Sequence, residues 1–362
     1  MEKIRYRMVD TIKGLACMAV VLIHFNFPDT MGICFKPLCT FAVPYFFFVS
    51  GFFCTNGNNL LLHDNTRRKI KHVLRLICIA ALSYAAFCII WNLLINPNWN
   101  IWEYSASVLT KEKFTKFLIT SDPFVYGHLW FLGALLYCYL TMLPFHNRRP
   151  SRGFAAAAFI LWIGFCLLGE WKYIFPIPSS IALYGTETRL YFFNCYLFRA
   201  LPFFLLGMLT KLYADRIRKI FSRIPLCCFY ATIAIGLGIA VAETLNIGVV
   251  QFYMGTYLAL ASMCILSVTR PQMGNRVLEF IGQKLSLYVY IFHPMIGKMI
   301  DLAANKIKIH SADGLMSLSK TSAYLYSRPI IVLLACLLIP FVIYKAAELY
   351  HRQKSSSDSC LH

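Results

Sequence analysis

An all-α bundle of about ten membrane-spanning helices, with both termini on the cytoplasmic side, is predicted from three features of the sequence. Hydrophobic residues fill 59% of the 362 positions and charged residues only 14%. The apolar residues come in repeated blocks of about 18–22, the length a helix needs to cross the hydrocarbon core of a bilayer. The blocks do not alternate with period two, so their backbone polar groups are satisfied within helices and not in a barrel.

In order, the blocks fall at about 8–28, 36–54, 73–95, 128–145, 153–171, 190–210, 224–242, 247–268, 279–299 and 328–346. With the N-terminus inside, the inner segments carry Lys3, Arg5 and Arg7; Arg67, Arg68, Lys69 and Lys71; Arg148, Arg149 and Arg152; a cluster from Lys211 to Arg223; Arg270, Arg276 and Lys284; and Lys345, Arg352 and Lys354. The outer segments hold Lys36; Lys111, Lys113 and Lys116; Lys172 and Arg189; and Lys298, Lys306, Lys308, Lys320 and Arg328. The inner set is roughly twice the outer one, which places both termini in the cytoplasm. Residues 1–350 form one membrane domain, and 351–362, with its run of serines, is expected to be a disordered tail. The long outer loops at about 96–127 and 300–327 suit lids or acceptor platforms. The first apolar block lacks a small-residue cleavage site, so no cleavable signal peptide is expected.

A net charge of +19 does not point to nucleic acid, because the Lys and Arg sit in short loops between apolar blocks and not on one basic face. Cys17, Cys78, Cys88, Cys138, Cys166, Cys264 and Cys336 fall inside apolar blocks with no C-x-x-C pair, as small core residues do. Cys34 and Cys39 flank an outer loop, where pairing is open to them. The chain has no P-loop, G-x-G-x-x-G, H-E-x-x-H or G-x-S-x-G, so nucleotide hydrolysis and zinc chemistry lack support and no metal site is expected.

Ionisable groups inside spans are costly, and each is a candidate for function. At 100° per residue Asp10, Lys13, Cys17 and His24 share one stripe of the first helix, which must face the bundle interior. One reading is structural: an Asp10–Lys13 pair at i, i+3 and a satisfied core histidine. The other is catalytic. His24 lies about 24 Å along the helix from Met8, in the outer half of the bilayer, where a neutral imidazole can take the proton of an attacking hydroxyl. His128, opening the fourth block in His128-Leu129-Trp130-Phe131, can lie at a similar depth, or else in an interfacial aromatic belt.

A second stripe opens the third block, where Arg68, Lys71, His72 and Arg75 follow at i, i+3, i+4 and i+7. Cations so arranged suit a polyphosphate, of which coenzyme A, with three phosphate groups and a long arm, is one. Positive-inside anchoring explains Arg67 and Lys69 as well, and Arg75 less well. Arg199 lies within a span just before Pro202, which interrupts the helix and frees a carbonyl, so it joins the donor-binding candidates. Ser50, followed by Gly51, and Tyr290 and His293 in the ninth block complete the interior polar set as acceptor or pocket residues; helix packing is the alternative for the small ones.

The motif Asp10-Thr11-Ile12-Lys13-Gly14-Leu15-Ala16 followed by Val20-Val21-Leu22-Ile23-His24 resembles that of the acyltransferase-3 family of bacterial membrane O-acyltransferases, with a basic residue, ten residues and a histidine. Pro44 to Gly51, His128 to Phe131, Arg199 to Gly207 and Ser286 to His293 extend the resemblance along nearly the whole chain. The resemblance implies a ten-helix acyltransferase in the bacterial cytoplasmic membrane, with acetyl-CoA or another acyl-CoA as donor substrate and no bound cofactor. It further implies a carbohydrate or lipid-linked acceptor, and a catalytic centre at His24 and Lys13, to which Asp10 and His128 are added from the stripes. Lys13 stands where the family often has Arg, and the family's Arg-x-x-Arg appears as His72-Val73-Leu74-Arg75. A transporter or flippase of a small metabolite or lipid-linked sugar is the main competing reading, since buried charges also mark substrate paths. A membrane sensing or scaffolding domain is a third, and a homo-oligomer is compatible with all of them.

Overall fold

The computed structural model describes residues 5–55, 63–96, 99–108, 110–111, 113–114, 117, 126–145, 152–168, 180–183, 186–189, 194–250, 252–311 and 314–359. Lys3, Lys116, Arg148, Arg149 and Lys172 of the charge pattern lie outside them. In chain order the helices are α1 (Arg7–His24), α2 (Asp29–Cys39), α3 (Ala42–Phe52), α4 (His63–Ile95), α5 (Ile101–Val108), α6 (Trp130–Met142), α7 (Arg152–Leu168), α8 (Leu201–Leu212), α9 (Ala214–Phe221), α10 (Leu226–Ile247), α11 (Met254–Thr269), α12 (Arg276–Phe280), α13 (Ser286–Lys306) and α14 (Ser322–Ser359).

The chain is all-α in its architecture. Among the described residues, five stretches are by length and apolarity able to cross a membrane: Asp29–Phe52, Asn65–Leu93, Gly127–Phe145, Leu226–Ile247 and Ser322–Tyr350. A sixth is the pair Tyr196–Leu212 and Ala214–Phe221, bent by 75°. Two hairpins depart from the helical expectation: β1 (Ser180–Leu183) with β2 (Thr186–Arg189), and β3 (Lys308–Ser311) with β4 (Gly314–Ser317). Both fall in predicted outer segments, where water can take the edge N–H and C=O groups that lipid would leave unsatisfied. The last helix, α14, runs on to Ser359. Ala346, Ala347, Glu348 and Leu349 are strong helix formers, and Lys345 pairs with Glu348 at 2.8 Å, so the turns propagate past the apolar part. Cys34 and Cys39 are free thiols. They stand five residues apart on α2, on different faces of that helix.

The chain divides into two compact units. One comprises Met1–Val43, Ile224–Val249 and Tyr253–His362, and the other Pro44–Arg223 with Val250–Phe252. Within each, helices touch backbone to backbone at glycines. In the first unit a Cβ on Gly14 would meet the Leu278 carbonyl oxygen at 2.0 Å, and one on Gly282 would meet that of Asp10 at 2.1 Å. The two contacts are reciprocal, so α1 and the α12 end of the ninth block are pressed together over one turn. Gly236 and Gly255 do the same for α10 and α11. In the second unit Gly51 faces the Phe204 carbonyl and Gly207 that of Phe48, joining α3 to α8. Between lipid-embedded helices the hydrophobic effect gives little drive, and close van der Waals packing at small residues takes its place.

Adding one methyl therefore has a defined cost. Gly14→Ala is expected to destabilise the protein by at least the roughly 1–3 kcal/mol of an overpacked core, seen as a lower thermal midpoint in detergent. Gly238→Ala, with nothing within 4 Å of the added carbon, is expected to leave the midpoint unchanged or raise it.

Candidate active site

The predicted stripe on α1 exists, but its charges are satisfied otherwise than by the i, i+3 pair. Gln283 Nε2 donates to Asp10 Oδ2 at 2.7 Å. Gln283 lies in a π-helical turn, Ile281–Leu285, between α12 and α13, and this widened turn presents Gly282 and Gln283 together to α1. About one turn earlier Arg5 and Arg7 bind the buried Glu279 at 2.5 and 2.9 Å, tying the start of α1 to α12. Lys13 makes no ion pair among the described residues. It is half-buried beside the buried Cys17, and His24 is eleven positions further on, about 16 Å along the helix. The two therefore sit at opposite ends of the stripe. An apolar cleft of about 450 Å³ touches the other face of α1 at Met8, Thr11 and Leu15, away from these groups.

His24 is the last residue of α1 and is exposed, and its ring centroid lies 4.9 Å from that of the fully buried His293. Why His293 is so placed follows from its neighbour. Pro294 has no N–H, so the carbonyl four residues back, that of Tyr290, lacks its helical donor. His293 Nδ1 sits 2.9 Å from that oxygen and 3.0 Å from the Val289 oxygen. A carbonyl only accepts, so Nδ1 carries the hydrogen and Nε2 carries the lone pair. The proline thus sets both the orientation and the tautomer of the histidine that precedes it.

Around this pair lies a network that the sequence reading missed. Phe25, buried directly after His24, meets the His293 ring edge-on at 6.4 Å, and a Cβ on Gly297 would lie 2.0 Å from it. Arg328 covers Phe25, its guanidinium carbon 5.0 Å from the ring centre. Asp301 holds that guanidinium through two bonds of 2.7 Å and accepts the Tyr324 hydroxyl at 2.8 Å. Arg328 entered the sequence reading only as an outer charge, and Asp301 did not enter it. The available signal was spacing, since Asp301 follows His293 by eight residues and so lies near the same face of α13.

The second unit holds the remaining candidates. His128 is buried and meets Tyr84 and Tyr126 edge-on at 5.0 and 5.4 Å. Arg199 follows a π-helical turn, Asn194–Phe198, and lies 4.8 Å over the Trp130 ring; Pro202 sits in the first turn of α8, where its missing N–H costs no helical bond. Ser50 turns its hydroxyl back to the Phe46 carbonyl at 2.8 Å. Arg68, Lys71, His72 and Arg75 are all exposed along α4. The inward cation there is Lys69, which donates to the Phe53 carbonyl and lies 5.5 Å over the Tyr139 ring. Among the described residues no three His, Cys, Asp or Glu come together as a metal site.

The polar stripe of α1 thus ends in an exposed histidine that faces a second, backbone-anchored one, and an imidazole in such a place is chemically able to exchange a proton. The acyltransferase-3 profile, described as an acyltransferase domain, matches residues 7–345, and the chain belongs to that family. It is a membrane acyltransferase. No curated protein and no solved structure matches it.

His293→Asn offers a test of the tautomer argument. The Asn amide can reproduce the donor at Nδ1 but has no counterpart of Nε2 or of the ring face. Membrane abundance and thermal midpoint are expected to stay near wild type while acyl transfer falls at least about tenfold; His293→Gln, which cannot place its donor on the Tyr290 carbonyl, is expected to lose stability as well.

Proposed function

We propose that the protein is an O-acyltransferase that moves an acyl group, acetyl in the first instance, from cytoplasmic acyl-CoA to a hydroxyl of an extracytoplasmic or lipid-linked carbohydrate. His24 is the general base. It takes the hydroxyl proton as the oxygen attacks the thioester carbonyl; the C–O bond forms, the C–S bond breaks, and the coenzyme A thiolate leaves and recovers a proton. The observation that carries this reading is the His24–His293 contact. His24 makes no hydrogen bond among the described residues, so its ring nitrogens are uncommitted, while its neighbour is anchored to the helix backbone.

Arg68, Lys71 and Arg75 hold the donor phosphates, supported by their exposure and their i, i+3, i+7 spacing, and Arg199 is a further donor-side cation. Lys13, with no carboxylate partner among the described residues, serves a different part of an elongated donor from the one His24 serves. Asp10 and His128 have supporting roles, and Ser50 and Tyr290 belong to the acceptor pocket. In this reading the shorter or more polar helices also cross, giving ten spans in the bacterial cytoplasmic membrane with both termini inside.

His24→Ala is expected to abolish acyl transfer while the protein still inserts, checked by mass spectrometry of surface glycans for loss of the acetyl mass. Wild-type acetylation in that variant removes the assignment. Arg75→Ala is expected to raise the apparent constant for acyl-CoA by about tenfold or more and to leave that for the acceptor unchanged. In sealed vesicles of known orientation, acyl-CoA should support transfer from the face that bears the termini and not from the other.

A further inference from the structure

We propose that Asp301 and Arg328 are positioning residues for His24, acting through Phe25. The proposal rests on the reading of His24 as the base. Phe25 is the first residue after α1, so any displacement of its ring reaches His24 within one residue. The ring is held on two sides. Gly297 lets it lie directly on α13, and the Arg328 guanidinium lies over it at 5.0 Å. Its edge meets His293, so one aromatic side chain touches both the anchor and the imidazole that His24 faces.

The guanidinium can act as a flat clamp only if its plane is fixed, and Asp301 fixes it. Two parallel bonds of 2.7 Å, Nε to Oδ1 and Nη2 to Oδ2, leave the fork no rotation, and the Tyr324 hydroxyl at 2.8 Å holds the carboxylate in turn. A lysine would neutralise Asp301 equally well but would present a point charge without a plane. An ion pair that merely joined α13 to α14 would need no aromatic ring beneath it. The pair Lys345–Glu348, exposed and within one turn of α14, is of that plainer kind.

Arg328→Lys and Phe25→Leu, singly and together, test the clamp. The direct readout is the rate at which diethyl pyrocarbonate modifies His24, followed by peptide mass spectrometry, with the exposed His72 as internal reference. Each single variant is expected to change the His24 rate relative to His72 by about threefold or more, and the double variant no further than the larger single one, as residues acting in series do. Acyl transfer should lose kcat by about tenfold with KM for acyl-CoA within about twofold. Should Arg328→Lys fail to accumulate in the membrane, Tyr324→Phe loosens the same carboxylate and is expected to shift the rate in the same direction by less. An unchanged His24 rate in the single variants, or additive effects in the double, overturns the proposal. Because labelling does not depend on turnover, it decides the clamp even if His24→Ala retains activity and the base assignment falls.

Discussion

Backbone contact at glycine is the constraint from which the rest of this protein is built. Where lipid surrounds the helices, apolar side chains gain little by leaving it, and helices associate where their backbones come close enough for dispersion forces to accumulate. Gly14 with Gly282, Gly236 with Gly255, and Gly51 with Gly207 are three such places. The first has chemical consequences. By letting α1 touch the π-helical turn before α13, it brings Gln283 to Asp10 and lays the polar stripe of α1 along the helix that carries His293.

The same medium decides how charges are handled. An ion in a low-dielectric interior must be paired or hydrogen-bonded, and the first unit does this in three ways. Glu279 takes two arginines, Asp301 takes one arginine and a tyrosine hydroxyl, and Asp10 takes a neutral amide. The third differs from the others in kind. By binding Gln283 instead of Lys13, Asp10 leaves the half-buried lysine without a carboxylate partner among the described residues.

How much of this was legible in the sequence depends on what each feature requires. The all-α character and the stripe on α1 follow from period and spacing, and both are present, while among the described residues five or six stretches, against the ten expected, are long and apolar enough to span; the family follows from a motif that spans the stripe. The helices' partners were not legible. The i, i+3 spacing of Asp10 and Lys13 suggested a pair, but a distant glutamine competes for the carboxylate, and only tertiary packing reveals it. On α4 the basic stripe was visible, yet the residue turned inward is Lys69, whose position on the face of Thr66, Val73 and Ala80 could have been read from their burial-prone spacing. The pairing of Lys308–Ser311 with Gly314–Ser317 was hidden because the signals used for loops, Gly and Ser, do not exclude short strands that pair with each other. Asp301 and Arg328 were missed because charges at a span boundary serve topology so often that a role beyond it leaves no mark in one sequence.

The two histidines show how one residue type is given two roles by its position on a helix. His293 stands where Pro294 has removed a donor, so a backbone carbonyl takes its Nδ1–H and the ring can neither turn nor change tautomer without losing that bond. His24 stands at the last position of its helix, where the chain is about to leave helical geometry and no backbone group claims the ring. A base that must accept and release a proton in each cycle needs the second situation; a neighbour that must present the same face every time needs the first. Exchanging the two positions would give a base locked by its own helix and a support free to rotate. With His24 as the proposed base, the donor that Pro294 removes within α13 and the end of α1 serve the site in the same sense, since each supplies the backbone condition its histidine requires.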